Sequence, residues 1–269
     1  MIGQAQNVEF INTCIAENRL PRFMIIRGET GSGKKTFVQY IKECTNYDVV
    51  WFTPSIDNVR SLINLSYQQT KPILYVITDC DKLSNQGANA LLKIAEEPPE
   101  NAHIIALTND DSLLGTIKSR GTLIVMSGYT HKQKEQFAQE LNIKNNISEK
   151  IDIAENLGDL VVLDTIDFEA VNRLCQNIVD GIGTANIGSV LKICKKLKLK
   201  EKDDDSLIDV AIFIKILAYK YYQASINKTH KCAIDCWNTV FEAKRQLMKS
   251  YNKQYILDEM LLKLRSLCK

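Results

Sequence analysis

The stretch Gly28-Glu29-Thr30-Gly31-Ser32-Gly33-Lys34-Lys35-Thr36 carries the clearest chemistry in the sequence. Its glycines let successive backbone N–H groups curl around a phosphate, and Lys34 can reach the β- and γ-phosphates of a nucleotide. The apolar run Arg22–Arg27 precedes it and a helical pattern over Thr36–Cys44 follows, the strand–loop–helix setting that a phosphate-binding loop requires. One position departs from that pattern. The residue after the lysine is normally Ser or Thr, whose hydroxyl ligates Mg²⁺. Here it is Lys35, and Thr36 sits about 100° further around the helix. A second element runs from Ile73 to Asp81. A strand of this kind normally ends in a carboxylate that holds Mg²⁺ and a second that activates water. In that register Thr78 takes the metal-binding place and Asp79 the other. With both Mg²⁺ positions lacking a ligand, the pattern predicts a loop that holds ATP or ADP without turnover. The alternative is a glycine turn with no ligand.

The elements that position these residues read as an alternation. Strand patterns over Arg22–Arg27, Val49–Thr53, Ile73–Thr78, His103–Thr108 and Leu123–Met126 alternate with helical ones over Thr36–Cys44, Ile56–Tyr67 and Ala88–Ala95. Near-continuous apolar runs such as ILYVIT are what buried parallel strands look like, because helices cover both faces. Pro98-Pro99 must end the third helix. Beyond about residue 128 the strand patterns stop. Helical ones follow over His131–Leu141, Ile147–Asn156, Leu160–Thr165 and Glu169–Val179, then from Gly188 onward with one polar loop near 201–206. The expected organisation is an α/β parallel-sheet domain over 1–127, a small helical domain over 128–180 and an all-α domain over 181–269.

Composition sets outer limits. The chain has 269 residues, 45% apolar and 25% charged, which excludes a disordered chain or a disulfide knot. No run reaches the roughly 18–20 apolar residues of a membrane span. Met1–Gln6 has neither a basic nor an apolar leader region, so no signal peptide is expected. Eight scattered cysteines are expected to be reduced thiols of a cytoplasmic protein. From residue 181 onward there are 17 Lys and Arg against 9 Asp and Glu, densest at Lys192–Lys202 and followed by Asp203-Asp204-Asp205. A solvated helix face or loop is the expected reading, with a DNA-facing patch as the alternative. Cys232 and Cys236, four apart and near His230, are read as core packing.

Three further strings point to a family. Gly87-Ala88-Asn89-Ala90-Leu91-Leu92-Lys93-Ile94-Ala95-Glu96-Glu97-Pro98-Pro99-Glu100-Asn101 resembles a helix of AAA+ clamp-loader subunits of replicative DNA polymerases. Ile104–Asn109 resembles their sensor 1 strand, with Thr108 and Asn109 at its end. Leu114–Arg120 resembles the segment ending in their Ser-Arg-Cys motif, with Gly121 in place of Cys. Ile2-Gly3-Gln4 fits as well. Phe241–Leu247, Tyr251–Gln254 and Leu257–Leu262 resemble the last collar helices of the delta-prime class, and Thr78-Asp79 resembles a degenerate form of its B strand. Two departures stand out. Thr36 and Ile73 are separated by 36 residues holding only Cys44, too little for the four-cysteine zinc module of many members, so no zinc is expected there. In the stretch Ala154–Asp159, Gly158 or Asp159 stands where active members place a sensor 2 arginine.

The resemblance implies an AAA+ domain, a helical lid and a helical collar that joins a ring. It implies other clamp-loader subunits, gamma/tau-like and delta-like, as partners, with a sliding clamp and primed DNA held through its backbone. In the delta-prime class the chain's own site is often dead, while the Ser-Arg loop faces ATP in a neighbour. By that token Arg120 acts in trans, and Gly28, Thr30, Gly31, Ser32, Gly33, Lys34, Lys35 and Thr36 form a nucleotide loop. Lys93 faces DNA or solvent. The first alternative is an active gamma/tau-like motor subunit, which Lys34 favours and Lys35, Thr78 and the missing sensor 2 arginine oppose. A P-loop kinase is the second, opposed by the Asn89–Pro99 string and by Ser119-Arg120.

Overall fold

All five apolar runs read as strands enter one parallel sheet. The computed structural model describes residues 1–196, 210–247 and 252–269. The strands are β1 (Phe23–Arg27), β2 (Asp48–Phe52), β3 (Ile73–Ile77), β4 (Ala102–Thr108) and β5 (Thr122–Val125), in the order β2-β3-β4-β1-β5. The described helices are α1 (Ala5–Ala16), α2 (Lys34–Thr45), α3 (Ile56–Ser66), α4 (Asn85–Glu96), α5 (Gly115–Lys118), α6 (His131–Glu140), α7 (Ile147–Ile153), α8 (Leu157–Thr165), α9 (Phe168–Gly181), α10 (Ile187–Lys196), α11 (Val210–Ile226), α12 (Ala233–Leu247) and α13 (Lys253–Leu267). They divide into two units, Met1–Phe137 with Asn156–Gly158, and Ala138–Glu155 with Asp159–Lys269. The basic run at 192–202 and the aspartates after it lie mostly outside the described residues.

In the first unit, strand alternation builds a core on each face of the sheet. Phe23 and Ile25 of β1 point to one face with Tyr75, Ile77, Ile104 and Ala106, where Leu62 and Leu91 pack on them. Met24 and Ile26 point to the other with Leu74, Val76, Ile105 and Leu107, covered by Phe37, Val38 and Ile41 of α2. Ser84 starts α4 by accepting a hydrogen bond from the Gly87 N–H at 3.2 Å, and the helix stops at Glu96, before Pro98. The register places Arg27 beside Thr108 and Ile77 beside Ala106. Because β4 lies between β1 and β3, the residue after Thr108 falls between the Gly28–Lys34 loop and the end of β3.

In the second unit α11 is the central helix, burying Val210, Ile212, Phe213, Ile214, Ile216, Leu217, Tyr221 and Ala224. It packs on α9 and α12, and α13 packs on α12 and α10. Helix α7 stops at Ile153, short of the Asn156 that the sequence pattern reached. Ala154 turns extended, at φ −67° and ψ 123°, and the Asp159 carboxylate takes the Glu155 N–H at 2.9 Å. Helix α8 then begins at Leu157, earlier than the periodicity suggested. No described helix is long and apolar enough to cross a membrane.

Candidate functional site

The loop between β1 and α2 is shaped by two left-handed glycines, Gly31 at φ 87° and Gly33 at φ 90°. Residues with a side chain rarely adopt that conformation. Gly33 caps α2 without any side-chain hydrogen bond, so the first-turn N–H groups of the helix point into the loop with no side chain on them. Tyr129 fixes the loop from the side, its hydroxyl donating to the Ser32 carbonyl at 2.7 Å. The Ser32 hydroxyl is buried and has no partner among the described residues. These donors fit a phosphate group.

Lys34 folds back over this loop. Its ammonium donates to the Gly28 carbonyl at 2.5 Å, the Glu29 carbonyl at 2.9 Å and the Asn109 amide oxygen at 2.9 Å. Burial lowers its pKa, and the carboxylates of Asp79, Asp81 and Glu29 oppose that. Asn109 is the bridge. Its side-chain NH₂ donates to Asp79 at 2.9 Å and Asp81 at 3.1 Å, and its backbone N–H to Asp81 at 2.9 Å. Thr30 adds a hydroxyl bond to the Asn109 oxygen at 3.3 Å. The loop lysine, Asn109 and the two aspartates therefore form one network. Asp81 was not singled out from sequence, because it lies two residues past the expected pair.

At the two positions that normally ligate Mg²⁺ beside such a loop, neither side chain offers it a free oxygen. Both the N–H and the hydroxyl of Thr78 are turned toward the Phe52 carbonyl, at 3.0 and 3.3 Å. Lys35 and Thr36 are exposed. The Asp79 and Asp81 carboxylates are engaged by the Asn109 amide. Thr108 is buried, its hydroxyl bonded to the Asp110 carbonyl at 3.0 Å.

A segment that periodicity had assigned partly to a helix packs on the loop. The Asn156 amide donates to the Thr30 carbonyl at 2.9 Å, and the Gly158 N–H to the Gly31 carbonyl at 3.1 Å. A Cβ on Gly158 would stand 2.6 Å from the Gly31 Cα, so only glycine permits this approach. Asp159, the other residue in the expected sensor 2 place, instead pairs with Lys215 at 2.6 Å.

Arg120 follows α5. One guanidinium nitrogen donates to the Thr116 carbonyl at 2.7 Å, and the other pairs with Glu96 at 2.8 Å. Its side chain is 36% exposed. Lys118 and Arg27 brace the preceding loop through Asp111, whose carboxyl they hold below its ordinary range. Gly121 is imposed by packing, since a Cβ there would meet the Phe23 ring at 2.8 Å and the Ile25 side chain at 2.9 Å. Register decides what Arg120 can serve. Thr122 pairs with Met24 at the start of β1, whereas the glycine loop begins at Gly28 beyond its end. That is four residues, about 13 Å of strand, so Arg120 lies at the opposite end of the sheet from its own chain's loop.

The chain is similar to several proteins of known identity. A family profile described as DNA polymerase III, delta subunit, matches residues 52–130. A DNA polymerase III subunit delta' of Buchnera aphidicola subsp. Baizongia pistaciae is 30% identical over 98 residues, 35% of this chain and 29% of that protein. A DNA polymerase III subunit gamma/tau of Mycoplasma pneumoniae is 26% identical over 191 residues, 59% of this chain and 28% of that protein. The matched regions thus span less than a third of either relative. Among solved structures, a DNA polymerase III gamma subunit-related protein from Thermotoga maritima matches with a TM-score of 0.60 at 14% identity, over 99% of this chain and 100% of that one. RuvB of the same organism matches at 0.51 and 15% identity, over 84% of this chain and 77% of that one. At these identities the structural likeness shows the fold alone, a parallel α/β domain followed by helices.

Proposed function

We propose that this chain is a subunit of the DNA polymerase III clamp-loader family, in keeping with its partial matches to that family, and that it plays the delta-prime part, hydrolysing no ATP itself and lending Arg120 to ATP bound in a neighbouring motor subunit. The observation that carries this reading is the register of β5 on β1, which sets Arg120 at the far end of the sheet from Lys34. An arginine there cannot stabilise charge on a phosphate in its own loop. An adjacent subunit's γ-phosphate can meet it, and a guanidinium is always charged and forms paired bonds to phosphate oxygens.

The chain's own loop then has a structural role. It can hold ATP or ADP, stabilising the fold by mass action, with Lys34 and the α2 N–H groups on the phosphates. With Lys35 and Thr78 at the two places that usually ligate Mg²⁺, the metal lacks its ordinary ligands for turnover. The partners of this reading are gamma/tau-like and delta-like subunits, a sliding clamp, and primed DNA touched through its phosphates and hence sensitive to salt. A lid near 128–180, a collar from 181 and a cytoplasmic place of action belong to the same proposal.

The test is ATP turnover by the purified chain alone, with Mg²⁺ and primed DNA. Turnover at the blank level is expected, with radiolabelled ADP or ATP still retained by the wild type and lost in Lys34→Ala. Mg²⁺-dependent turnover by the isolated chain, abolished by Lys34→Ala, would establish the motor reading instead.

A further inference from the structure

Outside the phosphate-loop region the second unit brings three thiols to one point. Cys232, just before α12, and Cys236 within it lie one helical turn apart, with the Cys236 N–H bonded to the Cys232 carbonyl at 2.9 Å, so both side chains lie on one side of the start of the helix. Cys268 arrives from the end of α13. Its sulfur is 3.1 Å from that of Cys232 and 3.4 Å from that of Cys236, and all three sulfurs lie within 4.8 Å of one another. The fold holds Cys268 there. Arg265 donates to the Ala185 carbonyl at 2.6 Å, and a Cβ on Gly183 would stand 2.2 Å from the Cys268 carbonyl oxygen, so the loop after α9 closes down on this residue.

We propose that Cys232, Cys236 and Cys268 form a three-thiolate site for one d¹⁰ cation, Zn²⁺ with a solvent-derived fourth ligand or Cu⁺ in trigonal coordination. The dimensions suit it. A Zn–S bond of about 2.3 Å places tetrahedral sulfurs about 3.8 Å apart, so the two short pairs open by less than 1 Å through side-chain rotation. Access suits it too, since Cys236 is buried while Cys232 and Cys268 are partly exposed and admit an ion from solvent. The Tyr221 hydroxyl is fully buried against the same thiols, with Cys236 and Cys268 as its hydrogen-bonding neighbours. A neutral thiol is a weak acceptor for that O–H, whereas a metal-bound thiolate is a good one. Binding Zn²⁺ releases three protons to solvent and leaves one net negative charge, beside Lys231 and Lys269 in the sequence. Sequence spacing supplied only the α12 pair, which reads as core packing. The third ligand, 32 residues further on, becomes a neighbour only in the fold.

The test uses the full chain reduced with a phosphine and titrated with Zn²⁺ against a chromogenic chelator, alongside Co²⁺ spectra and native mass spectrometry. One equivalent of Zn²⁺, a thiolate-to-cobalt charge-transfer band and a melting temperature raised by several degrees are expected. Cys268→Ser and Cys232→Ser, both at partly exposed positions, should each lose the band and the melting shift. Cys44→Ser, at an exposed cysteine elsewhere, should keep them. Should Cu⁺ bind stoichiometrically where Zn²⁺ does not, with the same cysteine dependence, the site stands and its ion is Cu⁺. The proposal is overturned if the reduced chain takes up neither ion, or if uptake survives both Cys268→Ser and Cys232→Ser. A Cys232–Cys268 disulfide forming in air, together with no metal uptake by the reduced chain, would mark a redox pair in its place.

Discussion

In a reconstituted loader, Arg120→Ala is expected to cut ATP turnover at the site it faces by about 10³-fold or more, the contribution of an arginine supplied in trans. Where several motor sites fire, the total rate falls by that one site's share. Glu96 now holds the guanidinium at 2.8 Å, but both side chains are well exposed, 36% and 46%. Pairs of that kind contribute about 0–1 kcal/mol. That is far below the roughly 4 kcal/mol that a 10³-fold rate effect represents, so exchange of Glu96 for a phosphate is cheap. Glu96→Gln should therefore leave turnover within about fivefold of wild type, and Arg120→Lys should not rescue, because an ammonium lacks the planar fork. Single-turnover phosphate release with each variant reads these effects. A Glu96→Gln defect as deep as that of Arg120→Ala would mean that the pair acts as one structural clamp and lends nothing to a neighbour.

The second large effect concerns stability. Lys215 of α11 pairs with Asp159 at 2.6 Å and Glu155 at 3.1 Å, and Glu155 also meets Lys244. Lys215 and Asp159 are nearly buried, with side chains 13% and 11% exposed. Burial acts to lower the Lys215 pKa, but Asp159 and Glu155 outweigh it and the net shift is upward. Burial likewise acts to raise Glu155, and Lys244 with Lys215 bring it below its ordinary 4.5. Removing one partner strands a buried charge. Lys215→Met should cost about 3–5 kcal/mol, measured as the shift in urea unfolding. Adding Asp159→Asn, which removes a charge yet can still accept the Glu155 N–H, should recover a large part of that loss. The pH dependence has a definite sign. Glu155 is depressed, so its contribution is complete above its unfolded value near 4.5 and is lost as pH falls through the lower folded value. Lys215 is raised, so its contribution is complete below its unfolded value near 10.5 and lost as pH rises through the higher folded one. A Lys215→Met variant as stable as wild type would show that this network contributes nothing.

The sheet was legible because its information is local. Runs such as ILYVIT and HIIALT hold no Asp, Glu, Lys or Arg for a solvent face, and each became a strand within a residue or two of its predicted ends. Pro98-Pro99 likewise stops α4 by a clash written into the chain itself. The shape of the Gly28–Lys34 loop was legible for the same reason, Gly31 and Gly33 being needed where φ is positive. What sequence did not disclose depends on residues far apart meeting. Asn109 binds Lys34, 75 positions away, and Asp81, 28 away. The extended turn at Ala154 ends α7 where apolar spacing would have continued it, while Asn156 and Gly158 go to the loop at Thr30 and Gly31. Gly121 stands where the resemblance has cysteine, and the Phe23 and Ile25 side chains already fill that space. Periodicity reports which face of an element is apolar, and it is silent on which polar groups then find one another.

The central claim is that this chain lends an arginine and does not fire its own loop. It is tested most directly by steady-state ATP turnover of the assembled loader carrying wild-type, Lys34→Ala or Arg120→Ala chains with every other subunit unchanged. The expected result is turnover at the wild-type rate with Lys34→Ala and loss of one site's full contribution with Arg120→Ala. A damaging Lys34→Ala beside a silent Arg120→Ala would contradict it, and would make this chain a motor whose Mg²⁺ is held without Thr78 or Lys35.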